Sequence, residues 1–182
     1  MNKSPILSSR NKFLLGLMLL AALTRLFPHP FNFTPIGAIA LFGGVYLRDR
    51  RLSILLPMAI LFLSDILLQI TFGNGFYKDM IFVYGSFALI AFGGSILRGH
   101  EQRQTIMVAS LCSSILFFLV TNFGVWFSYN TYPATFQGLV SCYVAGIPFF
   151  KGTVMGDLFY NLTLFGTYFI VSRRFPSLVK VS

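Results

Sequence analysis

Acidic residues are scarce in this chain. Five Asp and Glu stand against 14 Lys and Arg in 182 residues, and charged residues of both signs make up only 10%. Soluble domains carry about 25% charged residues, so an ordinary soluble domain is excluded. Histidine and cysteine are rare as well, at two each. His29 and His100 lie too far apart for a local metal-ligand pair, and Cys112 with Cys142 has no zinc spacing. No Gly-x-Ser-x-Gly elbow and no phosphate loop occurs, and Gly73-Asn74-Gly75 reads as a turn. Cys142 has the chemistry of a nucleophile or a soft metal ligand, but a small residue near an interface is the better account of it. The expectation is a protein without enzymatic activity, cofactor or bound metal.

What is abundant is apolar. Such residues form 55% of the chain, with 22 Phe and 8 Tyr, and the mean hydropathy is +0.75. They fall into six stretches, predicted as membrane spans at 13–27, 33–47, 52–72, 80–97, 105–127 and 153–172. These nearly use up the chain, so residues 1–182 form one integral membrane domain. Lys12 followed by an apolar run could pass for a secretory signal, but no small-x-small cleavage site follows and Arg25 interrupts the exit region. A retained first helix is expected.

The basic residues sort by alternate gaps. Lys3, Arg10 and Lys12, then Arg48, Arg50 and Arg51, then Arg98 and Arg103, and lastly Arg173, Arg174 and Lys180 all fall on one side. That side holds 11; only Arg25, Lys78 and Lys151 remain for the other. Cytoplasmic loops collect Lys and Arg, so both termini are predicted inside. The +9 charge is then explained by anionic lipid headgroups, and no nucleic-acid partner is expected. The fold class that follows is an all-α integral membrane protein of six transmembrane helices.

One connection is long. Residues 128–152 are too apolar to lie free in water, and Pro133 and Pro148 interrupt them. A short helix on the outer face between the fifth and sixth spans is the expectation, acting as a lid over an outward pocket. Trp126 and Tyr132 would offer flat surface to a ring, with Asn122 and Asp157 fixing polar orientation. In the second span Ala40 and Gly44 share a face, which suits close packing inside the bundle or docking onto another membrane protein.

Three charges fall within apolar stretches: Arg25, Asp65 and Asp157. Counting residues from the span ends puts all of them about 20 Å above the inner boundary. A charge at that depth is expensive and usually paired, so a cluster of Arg25 with one or both carboxylates is expected. Two aspartates also meet the count for an intramembrane aspartyl protease. Arg25 at the same level opposes the shared proton which that chemistry needs.

Three groups of residues carry a resemblance. They are the run from Arg25 through His29 and Asn32 to Pro35, then Ser64-Asp65, and then Thr121 to Trp126 with Tyr132-Pro133, Ile147 to Phe150 and Gly156-Asp157. Together they resemble a family of small bacterial membrane proteins of unassigned function. That family is in turn similar to the substrate-binding S components of energy-coupling-factor vitamin transporters. The resemblance spans nearly the whole chain. It implies capture of a vitamin-like small molecule or a metal from outside, and sideways docking on a membrane coupling subunit through early helices. It maps Arg25, His29, Asn32, Asp65, Asn122, Trp126 and Asp157 to the binding region. The small-x-x-x-small pair expected in the first span is missing, since Leu20 follows Gly16, and Ala40 with Gly44 stands as a substitute. A structural scaffold or assembly factor, whose charges only hold the bundle together, remains the alternative.

Overall fold

The computed structural model describes residues 8–179, so Lys3 and Lys180 of the basic count lie outside the described residues. The fold is all-α, with seven α-helices among the described residues. They are α1 (Ser9–Leu23), α2 (Ile36–Tyr46), α3 (Arg50–Phe72), α4 (Met80–Ile96), α5 (Arg103–Ser128), α6 (Phe136–Arg174) and α7 (Pro176–Val179). A single 3-10 turn, Thr24–Leu26, extends α1. Helices α3, α5 and α6 are long and apolar enough to cross a membrane, while α2 and α4 are shorter apolar helices. Large apolar side chains such as Leu20, Ile70, Ile81 and Leu162 face outward from the bundle. A soluble monomer rarely exposes so much contiguous apolar surface. By helix length and hydropathy this is a multi-pass membrane protein.

The first five stretches agree with helices to within four residues at each end. The sixth does not. Residues 136–174 form one 39-residue helix, so the short separate helix expected between the fifth and sixth spans is absent. Thr135 starts α6: its Oγ1 accepts the Gly138 amide at 3.1 Å. Pro148 removes one amide donor but does not end the helix. What remains non-helical is the turn 129–135.

Helix α2 is the hub. Every residue from Ile36 to Val45 is buried, and the helix touches α1, α3, α4, α5 and α6. A helix apolar on all sides belongs in the centre of a bundle. Its 11 residues rise about 16 Å, roughly half of a bilayer core. Packing inside the bundle, the first of the two readings of Ala40 and Gly44, is what is seen: Ala40 is fully buried, and a Cβ added to Gly44 would overlap the Ala91 carbonyl of α4. Gly44 thereby lets α2 and α4 approach closely.

The carboxyl end of α2 is capped by arginines. Arg10 Nη2 donates to the Tyr46 carbonyl at 2.8 Å, and Arg98 Nε donates to the Gly44 carbonyl at 3.1 Å. Cations there satisfy orphan carbonyls and complement the helix dipole. These two arginines therefore bind protein as well as sitting at the basic end of the bundle.

Candidate functional site

The opposite end of the bundle holds a cavity of about 490 Å³. It lies where the connections α1–α2, α3–α4 and α5–α6 gather. The 3-10 turn after α1 brings Arg25 to it, and the turn before α2 brings Asn32, which holds φ 59. One face of α5 contributes Phe117, Phe118, Thr121, Asn122 and Val125. One face of α6 contributes Cys142, Gly146, Phe149, Thr153 and Asp157. Both sets follow the spacing of three and four residues that puts side chains on one helical face. Close packing of α6 on the 31–34 turn depends on two glycines. A Cβ at Gly152 would overlap the Phe31 carbonyl, and one at Gly156 would reach 3.0 Å from the Thr34 amide nitrogen.

Arg25 and Asp65 form an ion pair, Nη1 to Oδ1 at 2.7 Å. The same Nη1 donates to Ser64 Oγ. Tyr84 donates its hydroxyl to Asp65 Oδ2 at 2.7 Å, so both carboxylate oxygens are met. Asp65 is wholly buried, whereas the Arg25 side chain keeps 13% exposure. Asp65 thus stands behind Arg25 and does not line the cavity itself.

Asp157 does not join that pair, so of the two expected arrangements the one found is Arg25 with a single carboxylate. It faces α5 and α2 rather than the turn after α1: Ser114 Oγ donates to its Oδ2 at 2.7 Å, and its Oδ1 lies against Gly37 in the first turn of α2. That end of a helix carries partial positive charge. Beneath Asp157, Asn161 Nδ2 donates to Ser110 Oγ at 2.9 Å, while Asn161 Oδ1 is buried without a partner among the described residues.

Five of the eight residues expected from sequence line the cavity: Arg25, Asn32, Asn122, Tyr132 and Asp157. His29 is exposed, with Nδ1 3.0 Å from its neighbour's carbonyl at Pro30, and lies off the wall. Trp126 is off the wall too. Its Nε1 donates to the Pro133 carbonyl at 2.9 Å and pins the turn 129–135. The expected lid shrinks accordingly: residues 136–152 are a helical wall, and only Tyr132 of the turn reaches the cavity.

Sequence reasoning missed Tyr77 and Asp79, which also line the cavity. Asp79 is buried, and Tyr129 donates its hydroxyl to Asp79 Oδ1 at 3.0 Å. A usable signal existed, because Asp79 is the single acidic residue in the three gaps predicted to lie outside. Burial, and then the neighbouring Asp65 carboxylate, push the Tyr77 phenol above its ordinary value, which keeps it a neutral donor. The aromatic walls Phe87, Phe117, Phe118 and Phe149 were also missed, since lipid-facing Phe is so common here that no single one stands out. Among the described residues no three His, Cys, Asp or Glu side chains gather as a metal site requires. The arrangement can bind a small molecule through aromatic faces, a guanidinium edge, amide groups and two carboxyls.

No curated protein and no solved structure matches the chain. A family described as a family of unknown function, DUF6580, matches residues 6–178, and with that coverage the chain belongs to DUF6580.

Proposed function

We propose that this protein captures a small molecule from the outer side of a bacterial plasma membrane, in the manner of a transporter's substrate-binding subunit. It binds and does not catalyse. The observation that carries this reading is the cavity of about 490 Å³, which combines aromatic walls with converging polar groups at the end of the bundle away from the arginine-rich connections. Small-molecule sites are concave, mainly apolar and fitted with a few placed polar groups, with volumes of roughly 300–1,000 Å³. The surplus of Lys and Arg in the other set of gaps supports an outward mouth.

In this reading the chain crosses six times and both ends lie inside. The short α2 crosses within the bundle, where neighbouring helices rather than lipid cover the adjoining turn. The likeness to energy-coupling-factor S components supports a vitamin-like ligand. A coupling subunit would dock on a lipid-facing surface other than the Ala40 and Gly44 face. The scaffold reading draws on one observation of its own, the closed Arg25, Asp65 and Tyr84 network, which needs no ligand. The cavity beside it is what a scaffold does not require.

The test is a binding panel on the purified protein in lipid nanodiscs. Vitamins and metal ions are screened by thermal unfolding and followed by calorimetry. A ligand present at 100 times its Kd stabilises the folded state by about 2.7 kcal/mol. One compound class should raise the melting temperature in a saturable way, and replacing the exposed cavity-lining Ala145 by Leu to fill the cavity should abolish the effect. An experimental structure in which side chains fill this cavity would refute the reading and favour the scaffold.

A further inference from the structure

We infer that the cavity selects an organic cation carrying an aromatic ring, such as a protonated amine on a short arm. The inference rests on reading the cavity as a substrate site and names the class of substrate. Its first support is charge. Asp79 and Asp157 line the cavity at 7% and 3% exposure, and Arg25 is the only basic side chain on its described wall. Arg25 is already bound to Asp65. The site and its immediate backing therefore hold three carboxyls and one guanidinium.

Other basic groups at this end do not redress that balance. Lys78 and Lys151 are exposed, His29 is exposed, and none of them lines the cavity. The Lys78 ammonium instead lies 5.8 Å from the centre of the Tyr129 ring. The amino end of α2 faces Asp157, but a helix end supplies only about half a positive charge. Asp157 accepts one hydrogen bond, from Ser114, and its Oδ1 accepts none among the described residues. A buried carboxyl with one donor is poorly compensated, and a ligand ammonium beside it would supply both charge and donors.

The second support is shape and surface. Phe87 and Phe117 stack at 4.8 Å between ring centres, and Phe31 meets Phe149 edge-on at 5.9 Å. All four line the cavity. Aromatic faces attract cations and stack on rings. The volume of about 490 Å³ suits one or two rings with a short arm. An anionic ligand would meet Asp79 and Asp157 with the one guanidinium already engaged.

The experiment uses the full chain in nanodiscs and three probes of one shape. Tryptamine is the cation, tryptophol the neutral alcohol and indole-3-acetate the anion, with empty nanodiscs as the blank. Tryptamine should bind about tenfold or more tighter than either of the others, the margin expected of a charged hydrogen bond. Asp157→Asn should bring tryptamine and tryptophol to near parity. Equal or tighter binding of tryptophol or indole-3-acetate to the unaltered chain overturns the cation class and leaves the small-molecule reading standing.

A second arm covers the case in which no probe binds. Ala145 lines the cavity and is exposed, so Ala145→Cys in a Cys112→Ser, Cys142→Ser background offers a thiol at the wall. Its reaction rates with trimethylammonium and sulfonate methanethiosulfonates are compared after scaling to a free thiol. A cation preference of about tenfold that falls in Asp157→Asn supports the proposal. Equal scaled rates overturn it, and no reaction with either reagent means a closed cavity, which overturns both readings.

Discussion

Removing the two halves of the Arg25–Asp65 pair should have unequal effects. Asp65 is wholly buried, and Arg25 keeps 13% side-chain exposure at the cavity wall. Arg25→Met strands a carboxylate whose remaining donor is the Tyr84 hydroxyl at 2.7 Å. Leaving a buried charge without its partner costs about 3–5 kcal/mol. Asp65→Asn strands the guanidinium instead, but Ser64 still accepts from Nη1 and cavity water can reach the rest. That loss should be nearer 1–2 kcal/mol, the scale of one lost hydrogen bond. With Arg25→Met and Asp65→Asn together no buried charge is unpaired, so the double variant should lose less than the sum, with a coupling of about 2–3 kcal/mol. The assay is reversible unfolding in mixed micelles of all four proteins under one lipid composition. Additivity within about 0.5 kcal/mol would refute the pair as an energetic unit. A larger loss for Asp65→Asn than for Arg25→Met would refute the reasoning from exposure.

Gly37→Ala should displace the Asp157 carboxyl, because the added Cβ overlaps Oδ1 in a fully packed first turn of α2; a loss of about 1–3 kcal/mol in micelle unfolding is expected, and an unchanged midpoint would contradict the contact. Cysteine placed at exposed Asn74 should be labelled only from outside, and at exposed Ser177 only from inside; outside labelling at Ser177 would overturn the topology. Trp126→Phe should cost about 1 kcal/mol by freeing the turn at Pro133 and should change affinity for a cavity ligand less than tenfold, as calorimetry can measure. A larger loss of affinity would make Trp126 part of the site after all.

Much of the bundle was legible because the bilayer imposes coarse rules. Apolar runs give helices, and Arg25 could be matched in depth to Asp65, which it meets. Asp157 shows where such matching stops. Rise along a helix yields depth, but the direction a side chain takes depends on how the helix is rotated in the bundle. Asp157 points at Ser114 and the first turn of α2, and no count of residues along its own helix reveals that. Trp126 fails for the same reason, being near the cavity in height and turned toward Pro133.

Pro148 misled in another way. Proline usually ends a helix, so 128–152 read as a broken outer segment. The Thr135 cap and the packing of Cys142, Gly146 and Phe149 on α5 and the cavity carry the helix through it instead. Composition, the scarcity of acid and the long apolar runs by themselves determined an all-α membrane protein in which Arg25 meets a buried carboxylate. Only the tertiary structure decided that α2 is the buried hub, that Gly44 packs against α4, and which carboxyl keeps a guanidinium. Those outcomes depend on helix rotation and close contact between distant segments, which a one-dimensional pattern of polarity does not encode.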